Sequence, residues 1–297
     1  MPNELSAPLS AAPALPHPVV LLAQQLGEHA LAWFLVTLVA SMLVGGLACL
    51  TVDRRRTRRR ARGPSNDAPV DGEDQPPRLL AGLLTGFALI GVSSFVFALI
   101  AEHLGDGRVL GLADQALSDA IGQHVSWSVL VAFSWLTHLG DFQTVTVICL
   151  VVAALLWRHG HRSLALGWVL SLCGNGLLNP MLKEIFERAR PVHDHGLAHE
   201  TSFSFPSGHS SGAMVTYGML IYLALRTLPT RWHAPAVMAA IAAMLTIGFS
   251  RIFLQVHFAT DVAAGLVSGF AWVTVCVLSI EYAQHRYVRP RGTNRTA

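Results

Sequence analysis

Long apolar segments recur along the chain between residues 29 and 281. The first, at residues 29–51, is long enough to cross a hydrocarbon layer about 30 Å thick as a helix. Charged residues make up only 13% of the chain and apolar residues 52%, whereas a soluble globular domain carries about 25% charged residues. Too few charges remain to cover a water-exposed surface. The sequence therefore predicts an all-α, polytopic membrane protein.

Six further membrane spans are predicted after this first one. A shorter apolar stretch at 127–138 cannot span a bilayer alone, so we expect it to form the outer part of a long helix broken at Leu139-Gly140-Asp141. The six predicted spans are 79–102, 142–157, 163–182, 209–227, 234–253 and 261–281.

Residues 110–121 have the pattern of a short amphipathic helix. One face carries Leu110, Ala113, Leu117 and Ile121, and the other carries Asp114, Ser118 and Asp119. This pattern predicts either a helix in the membrane interface or an ordinary surface helix.

Composition divides the chain into five segments. The segment after the first span starts with arginines and becomes polar and proline-rich, which is typical of a disordered linker. The predicted organisation is an extracytoplasmic tail (1–28), an extra transmembrane helix (29–51), a basic cytoplasmic linker (52–78), a six-helix membrane core (79–282) and a cytoplasmic tail (283–297).

The distribution of positive charge sets the expected orientation. With the linker in the cytoplasm, the inner segments hold 16 of the 21 Lys and Arg residues, as the positive-inside rule requires. The arginine run at 54–62 could also indicate nucleic-acid binding, but its position directly after an apolar span explains it better. No nucleic-acid partner is therefore expected.

The few predicted outer cations include Lys183, the only lysine in the chain. It lies seven residues before Arg190-Pro191, so on a continuing helix both cations share one face and can bind the same anion. An ion pair between Lys183 and Glu187 is an equally good explanation of this segment alone.

A second polar segment, Pro206-Ser207-Gly208-His209, opens the span at 209–227. The start of a helix offers free backbone N–H groups to a phosphate, and Ser207 and Gly208 add a hydroxyl donor and close backbone approach. His209 is placed to donate a proton to a leaving group. The alternative is a serine that caps the helix beside an interfacial histidine.

A third segment contains Arg251, His257 and Asp261. His257 and Asp261 are four residues apart, so the carboxylate can orient the imidazole and leave its other nitrogen free as a nucleophile. Arg251 offers a planar fork to phosphate oxygens. A buried Arg–Asp pair without catalytic function is the alternative.

Together the three segments resemble the signature of the type 2 phosphatidic acid phosphatase family, which consists of KxxxxxxRP, PSGH and SRxxxxxHxxxD in this order. The resemblance covers about residues 79–282 and implies a membrane phosphatase core. It implies that His257 is the nucleophile, that Asp261 orients it and that His209 is the acid and base. It assigns the phosphate to Lys183, Arg190, Ser207, Gly208 and Arg251.

The resemblance implies a lipid phosphate substrate, no cofactor and no metal. The histidines at 159 and 161, and at 193, 195 and 199, lack the ligand spacing of a metal site. Undecaprenyl diphosphate, phosphatidylglycerophosphate, phosphatidate and lipid A phosphates all present the same anionic head. A phosphotransferase, or a lipid carrier without catalysis, stays open as an alternative.

Overall fold

A computed structural model describes residues 17–61, 75–104, 107–193, 195–198 and 200–288. Within these residues there are ten α-helices, two short 3₁₀ turns and no strand, so the predicted all-α fold is confirmed. The helices are α1 (Pro18–Glu28), α2 (Ala30–Ala61), α3 (Gln75–Glu102), α4 (Val109–His124), α5 (Trp127–Leu136), α6 (Phe142–Arg158), α7 (Arg162–Phe186), α8 (Gly208–Thr227), α9 (His233–Phe253) and α10 (Ala259–Val288).

Six of the seven predicted spans have the length and composition to cross a membrane. Five of them are single helices. The sixth is the bent pair Trp127–Gly140 and Phe142–Arg158, counted together as one span. The remaining predicted span coincides with α8, which is long enough but opens with the polar residues His209, Ser210 and Ser211. Since α8 packs against α7, α9 and α10, its polar start lies inside a helix bundle. The chain is an integral, multi-pass membrane protein.

The predicted break between 127–138 and the next span is present. A 3₁₀ turn at Thr137–Gly140 follows α5, and α6 starts at Phe142 after a bend of 42°. A side chain on Gly140 would lie 2.7 Å from Ile247 Cγ2, so glycine allows the turn to approach α9 closely. The break places Asp141 beside the first turn of α8.

Apolar packing holds together the end of the bundle formed by the start of α7 and the ends of α6, α8 and α10. We call this the opposite end. Trp168 is fully buried there against Met219, Leu223 and Ile280. Its indole N–H donates to the carbonyl of Cys149 at 2.9 Å, so the one polar atom of this side chain is satisfied.

The N-terminal helices extend further than the sequence predicted. Residues Pro18–Glu28 of the predicted tail form α1, and α2 continues from the predicted span into the arginine run. At the end of α2, Asp53 Oδ2 lies 3.1 Å from His233 Nδ1 on α9. Residues 1–16, 62–74 and 289–297 of the predicted tails and linker lie outside the described residues.

Helix α4 corrects the expected orientation of its polar side chains. The pattern predicts that Asp114 and Ser118 point away from the apolar face, but both are buried. Asp114 accepts hydrogen bonds from Arg188 and Thr260, and the carbonyl and hydroxyl of Ser118 accept from Gln255. Burial is possible because the loops after α7 and α9 and the first turn of α10 supply these donors.

Candidate active site

The three motif segments meet at one end of the bundle, which we call the motif end. Lys183 lies in the last turn of α7, Ser207 caps α8, and Arg251 lies in the last turn of α9. The loop after α9 carries His257, and Asp261 is in the first turn of α10. The N–H of Ser207 donates to the carbonyl of Asp261 at 3.0 Å, which joins the second motif to the third.

The ring of His257 is almost completely buried between a carboxylate and a guanidinium. Its Nδ1 lies 3.5 Å from Asp261 Oδ2 and 3.3 Å from Ser204 Oγ. Its Nε2 lies 3.2 Å from Arg190 NH1, which has protons only to donate. Nε2 is therefore the unprotonated nitrogen, and its lone pair accepts from Arg190.

The pKa of His257 supports a neutral ring. Burial lowers this pKa to about 3, and the charges of Arg190 and Arg251 act in the same direction against the bond to Asp261. An imidazole with so low a pKa is unprotonated at neutral pH, which is the form that can act as a nucleophile.

Asp261 is held in place by several donors. Its Oδ2 accepts from the Ser204 hydroxyl at 2.5 Å and from the Phe258 N–H at 2.8 Å. Arg188 NH1 donates to Oδ1 at 2.5 Å. The carboxylate is fully buried, so these bonds compensate for its lost hydration and fix its plane.

Two of the three predicted phosphate-binding cations hold the loop between α7 and α8. Lys183 Nζ donates to Ser202 Oγ at 3.2 Å and to the Phe203 carbonyl. Arg190 donates to the Ser202 carbonyl at 2.7 Å and to the Phe203 carbonyl at 3.1 Å. The shared acceptors bring Lys183 and Arg190 together, but not on one helix face as the spacing predicted, because α7 ends at Phe186 and Arg190 lies in the loop that follows.

The third cation, Arg251, is 2% exposed. Its NH1 donates to Thr137 Oγ1 at 3.0 Å, and its NH2 donates to Glu200. Its Nε is buried, and the described residues supply no acceptor for it. A buried guanidinium N–H without an acceptor is a ready position for an oxygen of a bound anion.

Glu200 already places a carboxylate between the arginines. One oxygen pairs with Arg251, and the other lies 4.0 Å from Arg190 NH2. Burial alone would raise the pKa of Glu200, but the nearby positive groups, led by Arg251 and including Arg190, together outweigh this effect and lower it. An ionised group of this chain therefore occupies the position that suits a phosphate.

His209 is held from the other side of the site. Its Nε2 lies 2.9 Å from Asp141 Oδ1, and the second oxygen of Asp141 lies 2.6 Å from His138 Nδ1. His209 is partly exposed, with 20% of its side chain accessible. It shares the motif end with His257, as the sequence predicted.

Ser207 and Gly208 open α8 at the predicted position. The Ser207 hydroxyl accepts from the N–H of Ser210 at 3.4 Å and from its hydroxyl at 2.9 Å, so it caps the helix. A side chain on Gly208 would lie 2.9 Å from Asn179 Oδ1, which explains why glycine stands here. The backbone of this turn can approach a ligand closely.

Comparisons with known proteins identify the family of this chain. Residues 164–285, which contain all three motifs, match a family model described as the PAP2 superfamily. Phosphatidylglycerophosphatase B from Bacillus subtilis (strain 168) is 34% identical over 187 residues, which are 60% of this chain and 88% of that protein. The chain belongs to the PAP2 superfamily.

Other PAP2-type proteins are similar over more of the chain. Lipid A 1-phosphatase from Rhizobium etli is 29% identical over 230 residues, which are 73% of this chain and 78% of that protein. The crystal structure of a transmembrane PAP2 type phosphatidylglycerolphosphate phosphatase from Bacillus subtilis superposes with a TM-score of 0.61. The two chains are 28% identical, and the superposition covers 68% of this chain and 98% of the crystallised one. These comparisons confirm the predicted family. They also confirm the predicted class of enzyme, a phosphatase that acts on lipid phosphates.

A cavity of about 400 Å³ lies at the motif end, beside Arg190. Arg188, Arg190, Glu200 and Ser202 are among its lining residues. Arg190 faces this cavity and also contacts His257 Nε2, so it separates the entrance from the buried imidazole. We call this cavity the vestibule.

Sequence reasoning missed four polar residues of the PAP2 site: Glu200, Asp141, Arg188 and Ser204. Glu200 and Ser204 lie in an irregular loop, where no periodic pattern shows which side chains turn inward. Arg188 lies between Lys183 and Arg190 in the first motif, at a position that the motif leaves unspecified. Asp141 could have been found, since it follows the predicted helix break at the motif end.

Proposed function

We propose that this PAP2 protein hydrolyses a lipid phosphate or diphosphate through a phosphohistidine on His257. Asp261 orients the nucleophile, and His209 serves as acid and then base. Lys183, Arg190, Arg251, Ser207 and the backbone of Gly208 bind the phosphate. The site lies at the extracytoplasmic face of the cytoplasmic membrane, a placement supported by the excess of Lys and Arg in the predicted inner segments.

One observation carries this proposal most directly. His257 directs Nδ1 toward Asp261 and Nε2 toward Arg190 at 3.2 Å. The nucleophilic nitrogen therefore lies next to a guanidinium whose N–H groups can bind the phosphoryl oxygens and so position phosphorus for attack. A buried ion pair without function does not require a neutral imidazole at this position.

Glu200 supports the location of the phosphate. Its carboxylate pairs with Arg251 and faces Arg190, and Arg251 still has an N–H without an acceptor. An incoming phosphate has more oxygens and more charge than a carboxylate, so it satisfies this N–H and replaces Glu200 between the arginines.

The reaction then proceeds in two steps. His257 Nε2 attacks phosphorus, the bond from phosphorus to the lipid oxygen breaks, and protonated His209 donates its proton to that oxygen. His209, now neutral, takes a proton from a water molecule whose oxygen attacks the phosphohistidine. The phosphorus–nitrogen bond breaks, and inorganic phosphate leaves. Because Nε2 of His209 bonds to Asp141, its Nδ1 serves the substrate.

The hydrocarbon tail of the substrate has an apolar groove beside the site. A cavity of about 230 Å³ lies between α3, α7 and α10, with Phe97, Leu182 and Trp272 among its lining residues. Leu182 precedes Lys183, and the ring of Phe97 contacts that of Phe205 at 5.4 Å next to Ser204. The tail can therefore stay in an apolar environment while the head reaches the cations.

The substrate panel follows from the shared chemistry and from the similar proteins. Phosphatidylglycerophosphate and lipid A 1-phosphate correspond to the names of the relatives. Undecaprenyl diphosphate and phosphatidate present the same anionic head. Release of inorganic phosphate from each lipid by the full chain in detergent identifies the preferred substrate.

The test of the mechanism compares His257→Asn with His161→Asn. His161 is exposed and lies at the opposite end, so the control should keep wild-type activity. We expect His257→Asn to release no phosphate and to lose the acid-labile phosphoenzyme that the wild type forms with labelled substrate. A folded His257→Asn variant with wild-type turnover would overturn the assignment. Transfer of the label to a second lipid instead of water would identify a phosphotransferase.

A further inference from the structure

Arg188 binds Asp261 on the side away from His257. Its NH1 donates to Asp261 Oδ1 at 2.5 Å, while the histidine lies beside Oδ2. Arg188 is not among the five motif residues that were assigned to phosphate. The carboxylate that orients the nucleophile is thus itself held by a separate cation.

Arg188 is fixed in turn by several groups. Its NH2 donates to Asp114 Oδ2 at 2.8 Å, and its NH1 also donates to Thr260 Oγ1 at 2.8 Å. Its guanidinium carbon lies 4.3 Å from the centre of the Phe258 ring. Because a planar guanidinium keeps its donors in fixed directions, these contacts fix the direction of the bond to Asp261.

Asp114 connects this arginine to a different part of the fold. It accepts from the N–H of Thr260 at 3.2 Å and from the Thr260 hydroxyl, so it also holds the first turn of α10. Asp114 lies on α4, outside the residues 164–285 that match the family model. Helix α4 packs against α1, where a side chain on Gly27 would lie 2.6 Å from Ala120 Cβ.

The charges of the network are buried, and one guanidinium lies between two carboxylates. The side chains of Asp114, Asp261 and Arg188 are 3%, 0% and 15% exposed. Two buried carboxylates close together repel, and Arg188 bonds to both. Removing Arg188 leaves Asp261 without its guanidinium partner, so that Oδ1 loses this donor and only the donors to Oδ2 still orient the carboxylate.

We propose that Arg188 and Asp114 form a positioning pair that fixes Asp261 and, through it, the ring of His257 for attack on phosphorus. This inference rests on the proposed function. Neither side chain touches the reacting atoms, so the pair acts on turnover rather than on substrate binding. Direct binding of phosphate by Arg188 is the competing explanation, because Arg188 also lines the vestibule.

The experiment measures kcat and KM for Arg188→Gln, Asp114→Asn and the double variant of the full chain in detergent. We expect kcat to fall at least about tenfold in each single variant, but less than the roughly 10⁴-fold that loss of an orienting carboxylate costs in a serine protease triad. KM should change less than about threefold, and the double variant should be no worse than the poorer single variant, since the two residues act as one unit.

Two further variants complete the design. Arg188→Lys keeps the charge without the fork, so its kcat should lie between those of the wild type and Arg188→Gln. Arg108→Gln is the control, because Arg108 is exposed at the start of α4 and contacts none of these residues. If Arg188→Gln does not fold, Asp114→Asn decides the question through the same kcat and KM values.

The outcomes separate the two proposals. A KM at least about tenfold higher with unchanged kcat would show that Arg188 binds the substrate. Lower thermal stability with kcat within twofold would show a purely structural pair. In either case the proposed function stands if the wild type releases phosphate and forms a phosphoenzyme on His257. A wild type that releases no phosphate from any lipid of the panel would overturn both proposals.

Discussion

The two ends of the helix bundle are stabilised by different interactions. At the opposite end, Trp168 and Met219 are fully buried in an apolar cluster, and the ion pair between Arg226 and Glu281 is about 40% exposed on each side. At the motif end, Arg251 and Asp261 are themselves buried. Burying charge costs free energy that hydrogen bonds only partly return, whereas apolar packing is favourable without such compensation.

This difference indicates that the opposite end contributes most to stability and that the motif end carries the catalytic groups. The motif end concentrates positive donors around an imidazole, an arrangement that binds an anion and stabilises a transferring phosphoryl group. The opposite end has no comparable cluster of buried charges among the described residues. We therefore expect substitutions at the opposite end to change stability, and substitutions at the motif end to change activity.

The largest expected effect is on stability at the opposite end. Trp168→Ala removes a fully buried ring and its bond to the Cys149 carbonyl. We expect a loss of about 3–5 kcal/mol in unfolding free energy, since a large cavity forms. Thermal unfolding in detergent measures it, and turnover per folded molecule should stay at the wild-type value. Trp157→Ala is the control, because Trp157 is 52% exposed.

The next effect is on catalysis at the motif end. Arg251→Lys keeps the charge but loses the planar fork that reaches Thr137 and Glu200. We expect kcat to fall about 10²–10³-fold, as when one donor to a developing oxyanion is removed. Phosphate release measures this effect.

The matched control lies at the opposite end. Arg226→Lys alters a half-exposed arginine that donates to Glu281 at 2.9 Å. Its turnover should remain within about twofold of the wild type, because exposed ion pairs contribute little. Equal losses from Arg226→Lys and Arg251→Lys would contradict the division between the two ends.

A smaller effect is expected at the helix break. Asp141→Asn removes the charge that holds His209 Nε2 at 2.9 Å. We expect kcat to fall about tenfold with little change in KM, less than the 10²–10⁴-fold contributed by a general acid itself. Asp119→Asn on the exposed face of α4 is the control. A higher KM with unchanged kcat would show that Asp141 acts on substrate binding instead.

Much of the fold follows from the sequence because membrane helices are specified by long apolar segments. The same holds for the three motifs, since Lys183, Ser207 and Arg251 lie at helix ends that the apolar segments define. The helix break before Asp141 was also predictable, because residues 127–138 are too short to span alone. These features depend on local spacing, which a single sequence displays.

The rest depends on contacts between distant residues. Arg188 bonds to Asp114 across 74 positions, and Arg251 bonds to Glu200 across 51. No periodic pattern in the sequence indicates either pair. The prediction that Asp114 points away from the apolar face of α4 was wrong, because Asp114 is buried against partners from other elements. The helix α1 was also missed, since a Pro/Ala-rich segment without Lys or Arg gives no sign that it packs against α4.

The smallest predicted effect concerns Glu200, whose carboxylate competes with the phosphate of the substrate for the arginines of the motif end. Glu200→Gln keeps the shape of the side chain but removes the negative charge that pairs with Arg251. Inorganic phosphate then meets no competing carboxylate, so its inhibition constant should fall about fivefold, or about 1 kcal/mol. Inhibition of lipid hydrolysis by phosphate measures this change, and kcat should stay within about twofold.

The matched control for this charge is Glu184→Gln. Glu184 also lines the vestibule but is exposed and lies in the last turn of α7, so its charge is screened by water. Phosphate inhibition of this variant should match the wild type. A large loss of kcat in Glu200→Gln would instead show that Glu200 takes part in the chemistry, because a group that only competes for the arginines has no effect on the bond-breaking step.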